Sequence, residues 1–142
     1  MAEKRRLVVA ADLTNLGDVR DFVEEASRSL GAQQSAVMDL RLAVDEAVTN
    51  IILHGYAQKS GEIEIELNPE GNTLVVHVRD NAVAFDPSTR AVPEPVAQLE
   101  SGKIGGFGLY LIRHLVDEVR HRVTNSGGNE LTLVKRGVTR TA

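Results

Sequence analysis

The stretch that most constrains how this chain can fold is LAVDEAVTNIILHGY, residues 42–56. Apolar residues in and just before this stretch recur at helical spacing and mark the core-facing side of one helix: Val37, Leu40, Val44, Ala47, Val48 and Ile51. Glu46 and Asn50 are four residues apart, so they lie one above the other on a different side of that helix. Leu42 and Leu53 fall beside Glu46, which indicates that this second side is partly covered by other parts of the fold.

Two interpretations of Glu46 and Asn50 stay open on this helix alone. The pair fits the polar side of an ordinary amphipathic helix, and it also fits the carboxylate and amide of a binding or catalytic site. Arg41, Asp45 and Thr49 project from a third side, which we expect to face solvent. The choice between the two interpretations depends on residues further along the chain.

Two downstream segments favour a site. A predicted strand, residues 73–79, ends just before Asp80, which begins the turn sequence DNAVAFDP. Residues 102–118, GKIGGFGLYLIRHLVDE, place four glycines around the start of a predicted helix. Glycines let a backbone approach phosphate closely, and the free N–H groups at a helix start attract anions. A flexible linker meeting a helix would look similar, but together with the upstream polar residues this segment favours phosphate binding.

These three motifs, in this order, resemble those of the GHKL, or Bergerat-fold, ATPase superfamily. Within the superfamily, the segments DEAVTNIILHGY, DNAVAFDP, GGFGLYLIRHLVDEV and NELTLVK look most like bacterial anti-sigma regulatory factors that are also serine-protein kinases. The resemblance covers about residues 39–135. It implies that Asn50 binds Mg²⁺, that Glu46 orients or deprotonates the attacking hydroxyl, and that Asp80 accepts a hydrogen bond from the exocyclic amine of adenine.

The resemblance also implies a set of further nucleotide-binding residues: Ala82, Phe85, Lys103, Gly105, Gly106, Phe107, Gly108 and Leu109. Ala82 departs from the family pattern, which has glycine at this position. A methyl group there would crowd the base or oppose a positive φ, and in the second case glycine in its place would tighten nucleotide binding.

The function implied by the resemblance is that of an anti-sigma regulatory factor with ATP-dependent serine/threonine protein kinase activity. Such a protein uses ATP and Mg²⁺, phosphorylates an anti-sigma-factor antagonist of the STAS type, and sequesters a sigma factor; the resemblance also allows for a homodimer. Two alternatives are a kinase-inactive nucleotide-binding adaptor, which the departure at Ala82 motivates, and a detached histidine-kinase-type ATPase domain. The TN…HGY and LVK segments disfavour the histidine-kinase alternative.

Composition and length exclude several classes of binding site and partner. The length of 142 residues favours a single domain, residues 1–142. The chain has no cysteine, which excludes disulfides and thiolate metal sites. A formal net charge of −4 and an aromatic content of 4% argue against direct nucleic-acid binding. No apolar run has the length of a membrane span and no signal peptide is recognised, so we expect a cytoplasmic protein that does not bind membranes.

The periodicities predict the element order β-α-α-β-β-loop-α-β-β. Thr14 is the expected N-cap of the first helix, Gly31 its stop, and the tail from Arg136 is expected to be frayed. Residues 81–104 have no sustained period and are predicted to form a nucleotide lid. The fold predicted is an α/β (α+β) two-layer sandwich, with one mixed, mostly antiparallel sheet covered on one face by about three helices, and the resemblance makes it a Bergerat fold. The predicted ranges are 7–11, 62–67, 73–79, 120–124 and 130–135 for strands, 16–30, 35–55 and 106–119 for helices, and 68–72 for a turn.

Overall fold

An antiparallel sheet forms one layer of the fold in the computed structural model, which describes residues 3–57, 59–82 and 104–139, the side chains of 104–109 excepted. Within these residues the sheet has five strands in the order β1-β2-β3-β5-β4, and each of its four pairings is antiparallel. The strands are β1 (Arg5–Ala10), β2 (Glu62–Glu70), β3 (Thr73–Asp80), β4 (Glu118–Val123) and β5 (Asn129–Arg136). The predicted two-layer α/β sandwich is confirmed, and its sheet is antiparallel throughout the described part.

Helices form the second layer. The described α-helices are α1 (Leu16–Ser29), α2 (Gln34–Asn50) and α3 (Ile104–Leu115), and α2 packs against both of the others. A 3₁₀ turn (Leu13–Asn15) precedes α1, and a π-helical turn (Ile51–Gly55) extends α2. Helical backbone therefore continues from Gln34 to Gly55, first as α-helix and then as π-helix. This agrees with the predicted helix, which was expected to end near Gly55.

The core lies between α2 and the covered face of the sheet. All six apolar residues predicted for the core side of α2 are buried, with at most 6% of their surface exposed. On β2, the alternation EIEIEL turns Ile63, Ile65 and Leu67 inward, where each is fully buried, and leaves the glutamates on the outer face. Burial of these side chains is what fixes the register of the central strands.

Two expectations about α1 and its neighbour are corrected. Thr14 does not cap α1: Asp12 caps the 3₁₀ turn, its Oδ1 accepting from Thr14 N and Thr14 Oγ1 at 2.9 Å each. Arg41 and Asp45 do not simply face solvent, because Asp45 Oδ1 accepts from Arg20 Nε of α1 at 2.8 Å and Arg41 Nε lies 3.7 Å from a carboxylate oxygen of Glu24. The third side of α2 is therefore the side on which α1 packs.

The turn predicted at residues 68–72 is shorter than expected. Strand pairing continues to Glu70 opposite Thr73, so only Gly71 and Asn72 connect β2 to β3. Gly71 has φ +61°, a conformation that glycine adopts without strain. Residues 68–70 are of turn-forming types, but their pairing with β3 keeps them in the strand.

The C-terminal end is ordered rather than frayed as far as Thr139. Val138 is 1% exposed; its N–H donates to Asn72 O at 3.1 Å, and its carbonyl accepts from Gln33 N at 2.7 Å. Helix α3 also ends earlier than predicted, at Leu115, and β4 begins at Glu118. Lys135 of β5 links these parts, because its Nζ donates to Leu115 O at 2.7 Å and to Asp39 Oδ2 of α2 at 3.0 Å. No helix within the described residues is long and apolar enough to cross a membrane.

Candidate functional site

Asp80 lies at the end of β3, on the side of the sheet that faces the helices. It continues the inward row of apolar residues on this strand and is only 6% exposed. Its Oδ1 accepts two hydrogen bonds, from Ala82 N at 2.9 Å and from Asn129 Nδ2 at 3.0 Å. Burial raises the pKa of Asp80, while the two hydrogen bonds and the nearby His121 act in the opposite direction. No hydrogen bond between described residues reaches Oδ2, which leaves that oxygen as an acceptor for a ligand.

Tyr56 connects the end of the α2 segment to the turn after Asp80. Its hydroxyl donates to Glu62 O and accepts from Asn81 N, both at 2.7 Å. The ring lies so close to Gly61 that a Cβ on that residue would be 2.2 Å from it, so glycine is required there. Burial raises the pKa of Tyr56, which keeps the phenol protonated for its donor role. In the sequence, this tyrosine stands out only as part of the HGY segment, and no local signal indicates its role.

Ala82 is accommodated without backbone strain. Ala57 is the only non-glycine residue with positive φ among those that the structure describes, so Ala82 does not have the conformation that would favour glycine. Its methyl is buried, and a Cβ added at Gly55 would lie 3.3 Å from it. The backbone strain predicted as one possibility at this position is absent, and with it one reason for expecting a kinase-inactive adaptor.

Glu46 and Asn50 lie one turn apart on α2 and are both half-buried. Neither side chain makes a hydrogen bond to another described residue. Of the two leucines predicted to lie beside Glu46, Leu53 is half-buried and Leu42 is 40% exposed. Burial raises the pKa of Glu46, and the negative charge of Asp45 adds to this effect. A carboxylate with a raised pKa is a better proton acceptor, which suits a general base.

The glycine-rich segment begins α3, which packs against α2. The helix starts at Ile104, two residues earlier than predicted, so five of the predicted nucleotide-binding residues lie within it: Gly105, Gly106, Phe107, Gly108 and Leu109. The first N–H groups of a helix have no intrahelical acceptor and face an incoming anion. Phe85, Lys103 and most of the predicted lid at residues 81–104 lie outside the described residues.

The side chains near Glu46 and Asn50 decide how a divalent cation could be held at this site. The described residues contain no cluster of three His, Cys, Asp or Glu side chains that could hold a metal ion. Mg²⁺ keeps most of its water and is usually held by one or two protein oxygens together with substrate phosphates. The amide oxygen of Asn50, half-buried and not engaged with other described side chains, fits that mode of binding.

The β4–β5 hairpin contacts the chain at Asp80 and Asn81. A Cβ on Gly128 would lie 2.1 Å from Asp80 O, so only glycine permits this approach. Ser126 Oγ donates to Asn81 Oδ1 at 3.2 Å. His121 Nε2 and Asn129 Oδ1 are 2.9 Å apart. Sequence reasoning missed these hairpin residues, because only the pairing of β3 with β5 brings them to Asp80.

Comparisons with known proteins identify the family of the chain. The family described as "Histidine kinase-like ATPase domain" matches residues 9–135. The serine-protein kinase RsbW of Listeria innocua serovar 6a is 40% identical over 100 residues, which are 67% of this chain and 63% of that protein. The serine-protein kinase RsbW of Bacillus thuringiensis strain Al Hakam is 30% identical over 125 residues, which are 83% of this chain and 76% of that protein.

Structural similarity extends over almost the whole chain. A crystal structure of the RsbU and RsbW domains of Rv1364c from Mycobacterium tuberculosis matches with a TM-score of 0.69 at 24% sequence identity. The match covers 98% of this chain and 33% of that one, and it shows a shared fold. The aligned part spans somewhat less than two thirds of the Listeria relative, at 63% of its length.

Proposed function

The chain belongs to the family of histidine kinase-like ATPase domains, and we propose that it is an ATP-dependent serine-protein kinase of the RsbW type. One observation carries the proposal: Glu46 and Asn50 lie one turn apart on α2, and the π-helical end of the same segment contacts the turn after buried Asp80. This arrangement supports the proposal that Glu46 is the general base, Asn50 the metal ligand and Asp80 the residue that recognises adenine.

Asp80 supplies the preference for adenine in this proposal. An ionised carboxylate only accepts hydrogen bonds, so its Oδ2 suits the exocyclic amine of adenine and repels the carbonyl oxygen that guanine carries at the same position. Its burial strengthens the discrimination, since water does not compete well for a buried acceptor.

Phosphate binding is assigned to the first turn of α3 and to Asn50. Backbone N–H groups in the first turn of α3, among them those of Gly105 and Gly106, donate to phosphate oxygens, and Gly108, the fifth residue of the helix, is a proposed contact on the sequence motif alone. Asn50 offers its amide oxygen to Mg²⁺, and the ion, when bound, neutralises phosphate charge. Phe85, Lys103, Phe107 and Leu109 remain proposed nucleotide contacts on the strength of the sequence motifs alone.

Glu46 acts as the general base. The serine Oγ of the protein substrate attacks the γ-phosphorus while its proton passes to the Glu46 carboxylate; the bond from the γ-phosphorus to the bridging oxygen breaks, and ADP leaves. Because the pKa of Glu46 is raised, the carboxylate is a stronger proton acceptor than an exposed glutamate. Positioning and charge neutralisation provide the remainder of the rate, as in other phosphoryl transfers.

The proposed protein partners rest on the resemblance to anti-sigma regulatory kinases. We propose that the substrate is an anti-sigma-factor antagonist of the STAS type and that the chain also sequesters a sigma factor, as a homodimer. The names of the relatives support this only at the level of a serine-protein kinase.

Phosphotransfer from labelled ATP to a candidate antagonist, with Mg²⁺, tests the proposal. We expect Glu46→Ala to abolish transfer while ATP affinity stays within about twofold, because a base acts only in the transition state. Asn50→Ala should weaken both binding and transfer. Thr49→Ala, on the same helix between them, serves as the control and should retain both. If Glu46→Ala transferred phosphate at the parental rate, the role of Glu46 would be wrong.

A further inference from the structure

Three polar side chains form a row across β4, β5 and β3 on the helix-facing side of the sheet. His121 Nε2 lies 2.9 Å from Asn129 Oδ1, and Asn129 Nδ2 lies 3.0 Å from Asp80 Oδ1. Asn129 is 4% exposed and is the register partner of Asp80. Asn129 Nδ2 also lies 3.4 Å from Ala82 O, so the same amide contacts the chain on both sides of Asn81.

The chemistry of the row fixes the direction of each hydrogen bond. An ionised carboxylate accepts and never donates, so the group of Asn129 that faces Asp80 is its NH₂. The amide oxygen of Asn129 then faces His121 and needs a donor, which requires the proton on Nε2 of the imidazole. His121 thereby holds the amide in the orientation that donates to Asp80, because the flipped amide would place two acceptors opposite each other at Asp80 and two donors opposite each other at His121.

The two carboxylate oxygens of Asp80 therefore have different roles. Oδ1 is satisfied by Ala82 N and Asn129 Nδ2, which fixes the plane of the carboxylate and leaves Oδ2 as the acceptor for a ligand. Without Asn129, the buried carboxylate would have one remaining donor in the described structure, from Ala82 N, and it could rotate or take up a proton. A proton on Oδ2 would make that oxygen a donor toward the ligand, and the basis of adenine recognition would be lost.

We propose that Asn129, oriented by His121, is a positioning residue that sets the specificity of the nucleotide site through Asp80. The proposal rests on the proposed function, since it assumes that Asp80 reads the exocyclic amine of adenine. A residue that only stabilised the fold would affect all nucleotides equally. Asn129 should affect the part of the affinity that comes from the amine.

The test compares ATP with purine riboside triphosphate, which lacks only that amine, by calorimetric titration of each into the full chain with Mg²⁺. We expect the parent to bind ATP at least about tenfold more tightly than the amine-free nucleotide. Asn129→Leu, similar in size but without donors, should bring the ratio close to one. His121→Phe should reduce the ratio, and His121→Gln, which keeps an N–H donor, should restore most of it.

A matched control lies on the other face of the same strand pair. His77 Nδ1 and Thr132 Oγ1 form a cross-strand hydrogen bond of 3.0 Å between β3 and β5. Thr132→Val removes that bond without contacting Asp80, and it should leave the ATP ratio at the parental value.

The outcomes separate this inference from the proposed function. A parent that bound both nucleotides equally would contradict the role of Asp80 itself. A parent that discriminated, with Asn129→Leu discriminating equally well, would overturn the role of Asn129. If Asn129→Leu failed to fold, His121→Phe would decide: a parental ratio overturns the proposal, and a reduced ratio rescued by His121→Gln supports it.

Discussion

Asp80 combines two opposing requirements at a single residue. Recognition of adenine needs its carboxylate ionised, whereas burial raises its pKa above the ordinary value of 3.8. Between the ordinary and the raised pKa, the folded chain binds more protons than the unfolded one, so the contribution of Asp80 to stability increases as the pH falls through that window. Affinity for ATP should fall over the same window, because protonation removes the acceptor. Function and stability thus have opposite pH dependences at this residue.

Asp80→Asn should separate the two effects. Asparagine is similar in shape, can accept the bonds from Ala82 N and Asn129 Nδ2 with its oxygen, and carries no buried charge. Its NH₂ would then face the adenine amine, donor against donor. We expect a melting temperature at pH 7 equal to or above that of the parent, and an ATP affinity reduced at least about tenfold. Thermal melting and calorimetry provide the two values; parental ATP affinity would contradict the account.

Ala82→Gly should not tighten nucleotide binding. The backbone at residue 82 is not in the left-handed region, so glycine relieves no strain. It removes a buried methyl that packs near Gly55 and adds flexibility to the unfolded chain, which together cost about 1 kcal/mol of folding free energy. Denaturant unfolding and ATP titration of both proteins measure these effects, and tighter ATP binding by the glycine variant would show that the methyl crowds the base.

At the scale of elements, the close approach of the β4–β5 hairpin to β3 depends on one residue. A Cβ at Gly128 would lie 2.1 Å from Asp80 O and 2.9 Å from Asn81 Cα, both backbone atoms that cannot easily move. We expect Gly128→Ala to destabilise the fold by about 2 kcal/mol and to weaken ATP binding, because the hairpin must shift away from Asp80.

Gly17→Ala is the control for this prediction. Nothing lies within 4 Å of a Cβ added at Gly17 in α1, and alanine favours helix, so this variant should be neutral or more stable by up to about 1 kcal/mol. Chemical denaturation compares the two variants with the parent. A Gly128→Ala protein with parental stability and ATP affinity would show that the hairpin adjusts without effect on the site.

The elements that the sequence predicted best are those with a long, regular apolar period. The core stripe of α2 and the inward residues of β2 are buried as expected, because burial of one face dominates local preferences. Most of the errors lie at element ends. Turn-forming residues 68–70 continue β2 because the ladder with β3 extends to Thr73, and Val138 is held by Asn72 and Gln33, which are distant in sequence. Such tertiary contacts leave no local signal.

At the scale of the whole molecule, the candidate site is assembled from α2, the end of β3 and the start of α3. The sequence provided Glu46, Asn50 and Asp80 through motif order, because each belongs to a short local pattern. It could not provide Asn129 or His121, which become relevant to Asp80 only through the antiparallel pairing of β5 with β3 and β4. Two of the proposed nucleotide contacts, Phe85 and Lys103, lie outside the described residues and stay predictions.

In the proposed function, α2, the end of β3 and the start of α3 together form a site for an adenine nucleotide with Mg²⁺. Calorimetric titration of ATP and of GTP into the purified chain, each with Mg²⁺, tests this claim most directly. Because the acceptor at Asp80 matches the adenine amine and repels the guanine carbonyl, we predict that ATP binds with a dissociation constant well below about 1 mM and at least about tenfold more tightly than GTP. No heat of binding at millimolar ATP, or equal affinity for the two nucleotides, would contradict the account.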